Sequence, residues 1–267
     1  MVVLSRGSYP IGVFDSGVGG LNVLKELIRV LPNEDFIYLA DSRNCPYGIK
    51  KEEEIVVLVQ RIVDFFQNIE VKILVFACNT SSVHLSRFVT PNLPMLGVIL
   101  PTIREAVKTT QNKHLAVLAT TATIVSSIYQ KLLVAYLSSG GQKLFFVSCS
   151  EFVTAIEEGV IGTKESYRLV KKKLTFLQDE DIDTIILGCT HFDCYQAEIQ
   201  SVFPKSKLVS AGKPTGKALL ALLKQKSILN QQQDKGKVRL LTTGDRKHFY
   251  HQVLNFFDTP IIEQINL

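Results

Sequence analysis

Short apolar runs alternate with amphipathic stretches from one end of this chain to the other. Ile11 to Phe14, Phe36 to Ala40, Ile73 to Ala77, Leu115 to Ala119, Leu144 to Val147, Thr184 to Leu187 and Val238 to Leu241 are four or five residues long and rich in Val, Ile, Leu and Phe. Runs of that length and composition read as strands covered on both faces. Between them the apolar positions change period. Leu21, Leu24, Leu27, Ile28 and Leu31 fall on one helical face, as do Leu58, Ile62, Phe65 and Phe66. Covered strands separated by amphipathic helices fold as parallel sheets flanked by helices, so the pattern predicts an α/β protein with doubly wound, parallel-rich sheets.

Ligands of such sheets bind outside the carboxyl ends of the strands. Four strand-to-helix turns therefore carry the candidate chemistry: Asp15-Ser16-Gly17-Val18-Gly19-Gly20, Asp41 to Gly48, Cys78-Asn79-Thr80-Ser81 and Cys189-Thr190-His191. Two of them repeat. Val75 to Thr80 and Ile186 to His191 each run from an apolar strand through a small residue to a cysteine and then to polar side chains. Val13 to Ser16 and Leu118 to Thr121 form a second pair, and the offsets of the two pairs are 111 and 105 residues by subtraction. Similar offsets predict two pseudo-symmetric halves with one cysteine on each side of a shared cleft. The expected division is residues 1–100 plus 211–267 for the Cys78 half, and 101–210 for the Cys189 half.

Composition narrows the function classes. The net charge of +5 over 267 residues is modest, and Lys171 to Lys173 is the one run of three lysines. That run reads as a solvated helix face, not a nucleic-acid surface, while the weak positive balance suits small anionic metabolites. No apolar run approaches the roughly 20 residues that span a bilayer, and Met1 to Pro10 lacks the pattern of an export signal. A cytoplasmic protein without membrane or nucleic-acid partners is expected. Five cysteines, an odd number, argue against a disulfide framework. Cys189, His191, Asp193 and Cys194 match no common zinc spacing, so no metal is expected.

The individual motifs each keep two readings. Gly17-Val18-Gly19-Gly20 has Asn22 where a dinucleotide fingerprint needs glycine, and Gly212 to Lys217 is one residue short of a Walker sequence. What is left is a turn whose N–H groups can hold a carboxylate. Asp15 is either a helix cap or a carboxylate that grips an ammonium or tunes a thiol. Cys78 and Cys189 are either inert buried thiols or a matched reactive pair. As helix-start residues they are expected to have pKa values lowered from about 8.5 by the helix dipole. His191 either assists Cys189 or is structural.

Taken in order, Asp15-Ser16-Gly17-x-Gly19-Gly20, Pro46-Tyr47-Gly48, Cys78-Asn79-Thr80, Gly97-Val98-Ile99-x-Pro101 and Leu187-Gly188-Cys189-Thr190-His191-Phe192 resemble the glutamate racemase family over nearly the whole chain. Ala119-Thr120 to Thr123, Glu151-Phe152-Val153 through Glu157-x-Gly159, and Thr242-Thr243-Gly244-Asp245 resemble it as well. The resemblance implies a two-domain α/β fold with an interdomain active site. It implies interconversion of L- and D-glutamate without pyridoxal phosphate or metal, supplying D-glutamate for peptidoglycan. Carried over residue by residue, Cys78 and Cys189 are the acid and base, and Asp15 and His191 assist them. Asp15, Ser16, Tyr47, Gly48, Asn79, Thr80, Thr190 and His191 contact substrate. A homodimer is among the assemblies the family forms.

Inverting a stereocentre needs an acid and a base on opposite faces, in a polarised cleft poor in water. Two halves with equivalent cysteines provide that arrangement. Thr102, Asp193, Ser150 and Ser210 depart from the family pattern, at positions usually glycine, proline, proline and aspartate. Thr102 and Asp193 are expected near the cleft, where they bear on rate, specificity or closure. An aspartate racemase is the nearest rival reading. A decarboxylase of the superfamily keeps one cysteine only, and a binding module that had lost activity has no need of either.

Overall fold

The computed structural model describes residues 6–88, 90, 92–137 and 140–267. Residues 1–5, part of the stretch read above as lacking an export signal, lie outside the described residues. Two wholly parallel sheets are present among these residues. The first contains β1 (Ile11–Asp15), β2 (Phe36–Ala40), β3 (Ile73–Phe76), β4 (Met95–Gly97), β9 (Val238–Thr242) and β10 (Ile262–Gln264), in the order β10-β9-β2-β1-β3-β4. The second contains β5 (His114–Ala119), β6 (Lys143–Ser148), β7 (Thr184–Gly188) and β8 (Lys207–Val209), in the order β6-β5-β7-β8.

The strand orders show the repeat directly. Placing β2-β1-β3-β4 on β6-β5-β7-β8 makes β1 equivalent to β5 and β3 to β7. Those are the two pairings the sequence offsets predict. β9 and β10 extend the first sheet and have no counterpart in the second. The α/β class with parallel sheets and two pseudo-symmetric halves is therefore what the chain forms.

Each sheet is covered on both faces, as its continuous apolar strands require. On one side of the first sheet, Val13, Ile11 and Val75 pack under helix Gly20–Val30 through Leu21, Leu24 and Leu27, and under Leu219 and Leu223 of helix Gly212–Gln225. On the other side Phe14, Leu74 and Phe76 meet Ile55, Val59, Ile62 and Phe66 of helix Glu52–Asn68. The second sheet is sandwiched likewise by Phe152 and Val170 on one face and Ile103, Tyr129 and Leu133 on the other. Side chains of this size each gain about 1.5–3 kcal/mol on leaving water. Burial of that weight fixes which way every strand end points.

Candidate active site

Asp15 ends β1, Cys78 follows β3 after one alanine, and Cys189 follows β7 directly. Because the strands are parallel, all three project from carboxyl edges, and the two edges face one another. The contacts between halves are short. Thr190 Oγ1 donates to Asp15 Oδ2 at 3.1 Å. Tyr129 donates to Asn79 Oδ1 at 2.7 Å, and the hydroxyls of Thr80 and Thr120 pair at 3.0 Å. Gln252, on the last helix Arg246–Val253, donates to Glu157 Oε2 at 3.0 Å.

Two glycines permit this approach. A Cβ on Gly19 would stand 2.5 Å from Thr190 Oγ1 and 2.8 Å from His191 Nδ1, and one on Gly48 would stand 2.6 Å from Thr120 Cβ. Any side chain there would hold the halves apart.

Asp15 is not the helix cap, since Gly19 holds that position and no side-chain bond caps the helix. It is wholly buried; Oδ1 accepts from the Gly17 N–H at 2.9 Å and so braces the turn, while Oδ2 reaches Thr190 across the cleft. Burial raises its pKa above the usual carboxylate range, against the opposing pull of His191 and the N–H and hydroxyl donors.

The two thiols sit in different surroundings. Cys78 Sγ lies 3.8 Å from the Ser16 hydroxyl, and its carbonyl accepts from Ser81 Oγ at 3.1 Å. Its pKa is pushed up to about 12, by burial first and then by the charge of Asp15. This reverses the expectation of a dipole-lowered thiol. The helix after Cys78, Asn79–Ser82, is four residues long, so it has little dipole to set against desolvation.

Cys189 Sγ lies 3.9 Å from His191 Nδ1, and His191 Nε2 lies 2.6 Å from Glu157 Oε1. The imidazole thus links a thiol to a carboxylate. Burial alone would lower the His191 pKa; the hydrogen bonds to Cys189 and Glu157, with the charges of Cys189 and Asp15, outweigh it and raise the value well above normal. Glu157 is correspondingly lowered, its burial outweighed by His191 and Gln252.

Asn79 supplies a free donor. Its Oδ1 is taken by Tyr129, but its Nδ2 is buried with no hydrogen-bond partner among the described residues, an arrangement that costs about 1–3 kcal/mol unless something accepts from it. A carboxylate in the cleft is such an acceptor.

The remaining expected contacts are placed less directly. Tyr47 is buried and its hydroxyl donates to Asp41 Oδ2 at 2.5 Å, while Thr243 donates to Asp41 Oδ1 at 2.6 Å. Gly48 lies against Thr120. The departures from the family pattern are accommodated locally. Thr102 is fully buried, with its hydroxyl on the Val98 carbonyl at 2.7 Å. Ser150 accepts from the Thr121 N–H at 2.9 Å. Asp193 and Ser210 hydrogen-bond to each other, and Gln196 donates to the same carboxylate oxygen at 3.0 Å. The two unusual residues form one pair, a carboxylate and a hydroxyl.

Sequence reasoning misses Glu157, Gln252 and Tyr129, which hydrogen-bond to His191, Glu157 and Asn79. Glu157 stands in a motif with no role attached to it. Gln252 and Tyr129 enter from helices and carry no local signal.

Two thiols at equivalent strand ends, with a buried carboxylate and an imidazole beside them, are thus gathered where the carboxyl edges of the two sheets meet. Residues 11–213 match the Asp/Glu/Hydantoin racemase family. The chain is 36% identical to the glutamate racemase of Carboxydothermus hydrogenoformans over 250 residues, 91% of this chain and 90% of that one. Among solved structures it superposes with a TM-score of 0.91 on a glutamate racemase isoform from Bacillus anthracis, 34% identical, covering 97% of this chain and 98% of the other. It also superposes with a TM-score of 0.89 on the glutamate racemase of Francisella tularensis in complex with D-glutamate, 30% identical, with 97% and 98% covered. The chain belongs to the Asp/Glu/Hydantoin racemase family. It is an enzyme of the isomerase class, an amino-acid racemase.

Proposed function

We propose that this enzyme interconverts L- and D-glutamate, with Cys78 and Cys189 as the acid and base. The observation that carries the reading is the placement of the thiols at the ends of β3 and β7, equivalent strands of two halves that face each other. One thiolate removes the Cα proton; the other, as a thiol on the opposite face, delivers one. The roles exchange with direction. In one direction Cys189, 3.9 Å from His191 Nδ1, removes the proton and Cys78 delivers one; in the other the two exchange. Asn79 Nδ2, with the hydroxyls of Ser16, Thr80 and Thr190, holds the substrate carboxylates and stabilises charge that develops on Cα deprotonation. Asp15 offers its carboxylate to the ammonium group. The chain's own groups supply every proton transfer, so no pyridoxal phosphate or metal is required.

The glutamate assignment rests on relatives of that name and on a neighbour that holds D-glutamate. The halves we assign are 1–100 with 211–267, and 101–210. Supply of D-glutamate to peptidoglycan, in the cytoplasm, follows from that activity. No helix among the described residues is long and apolar enough to cross a membrane.

The test is to incubate the protein with L-glutamate in D2O, without cofactor, and follow optical rotation and Cα deuteration by NMR. Racemisation with exchange is expected, faster for glutamate than for aspartate. Cys78→Ser and Cys189→Ser should each lose about 10²–10⁴ of the rate. Absence of both racemisation and exchange would overturn the activity; undiminished turnover in either variant would remove that thiol from the mechanism.

A further inference from the structure

One thiol beside the cleft has no part in this chemistry. Cys45 follows β2 in the first half, partly buried, its sulfur 3.0 Å from where a Cβ on Gly17 would stand. Burial, Glu157 and Asp15 together push its pKa far up, so it is a poor base for turnover. Its position is nevertheless specific. A ligand atom of Cys45, one of Glu157 and one of His191 all lie within 4.8 Å of one another. Cys45 comes from the first half; Glu157 and His191 come from helix Ser150–Glu157 and the turn after β7 in the second.

We propose that Cys45, Glu157 and His191 form a binding site for a thiophilic divalent cation of the zinc class, which bolts the two halves together and arrests turnover. One sulfur, one imidazole nitrogen and one carboxylate oxygen are a donor set that zinc takes, and three protein ligands leave a fourth position for water. With metal–ligand bonds of about 2.0–2.3 Å, donors on a tetrahedral cation stand roughly 3.3–3.7 Å apart. Side-chain movements of about 1 Å bring the three together.

The cation replaces protons. It takes the place of the hydrogen between His191 Nε2 and Glu157 Oε1, now 2.6 Å apart, and displaces the thiol proton of Cys45, so both are released to solvent. The carboxylates that disfavour a bare Cys45 thiolate are the charges that favour a cation. The sequence motifs around Cys189, His191, Asp193 and Cys194 do not foretell this set. Its sulfur comes from a residue more than a hundred positions earlier.

Binding is independent of the racemase assignment, whereas its effect on turnover rests on it; the measurements separate the two. Zinc chloride titrated into the chelator-free enzyme should inhibit racemisation reversibly, with full recovery in EDTA. Cys45→Ser should turn over normally without zinc yet need at least about tenfold more zinc for the same inhibition, the least that losing even an outer-shell partner costs a metal site. Cobalt(II) should give a thiolate-to-metal charge-transfer band in the wild type that is lost in Cys45→Ser. Saturating zinc should protect Cys45 of the wild type from alkylation, read by peptide mass spectrometry, so the proposal stands or falls even if the variant misfolds. Equal zinc sensitivity in the two proteins, a cobalt band that ignores Cys45, or unprotected alkylation would each overturn it.

Discussion

His191 is the residue on which the electrostatics of the site converge. A buried imidazole ordinarily loses its proton, yet here one nitrogen faces Cys189 and the other faces Glu157 at 2.6 Å. Its folded pKa is therefore raised, so whatever the imidazolium contributes is fully present at low pH. That contribution is lost as pH rises through the folded value. Glu157→Gln removes a charge that holds the proton without removing the hydrogen-bonding shape. The alkaline limb of the kcat/KM profile should then move to lower pH, with the acid limb less affected. A profile whose alkaline limb stayed in place would show that His191 does not set it. Cys78 shows the opposite balance. With a four-residue helix behind it and Asp15 nearby, desolvation holds its pKa up and favours the neutral thiol.

Of the strands that the sequence pattern predicts, β1, β2, β3 and β7 are covered at every residue, while β6 and β9 are only partly buried and show in the pattern through their apolar runs. β4, β8 and β10 escaped it because each is a three-residue strand, partly exposed. A strand of that length shows neither a continuous apolar run nor an alternation. The same physics divides the site. Asp15, Cys78, Cys189 and His191 were legible because they end covered strands. Glu157, Gln252 and Tyr129 were not, because long-range packing brings them in from helices. The turn after β1 leaves no room for a side chain at Gly19. Gly19→Ala would put a methyl 2.5 Å from Thr190 Oγ1 and 3.0 Å from the His191 backbone nitrogen. Opening the cleft slightly relieves that clash, so the fold should survive with its Tm nearly unchanged. Turnover should not, since misplacing reacting groups by about 1 Å can cost 10²-fold. A variant with unaltered kcat/KM would mean that the halves need not close to the separation seen here.

The whole molecule separates chemistry from anchorage along the strand direction. The carboxyl edges of both sheets carry the polar side chains that face one another; the amino edge of the first sheet carries a buried ion pair. Lys72, just before β3, and Glu34, just before β2, are both almost wholly buried and joined as a salt bridge. Lys72 Nζ also donates to the Gly7 carbonyl at 2.6 Å, and Glu34 Oε1 accepts from the Asn230 N–H at 2.8 Å. Four distant segments are tied at one point that touches no site residue. Lys72→Met leaves the Glu34 carboxylate buried without its cation, a loss of about 3–5 kcal/mol. The urea midpoint should fall with the m-value unchanged. Adding Glu34→Gln keeps an acceptor for Asn230 while removing the stranded charge, so the double variant should regain most of the loss. Under conditions where both proteins are folded, kcat and KM should match the wild type, because the change lies a strand's length from either thiol. If Lys72→Met instead altered kcat while folded, the amino edge would be coupled to closure of the cleft, and the division of the molecule into an anchoring edge and a reacting edge would not hold.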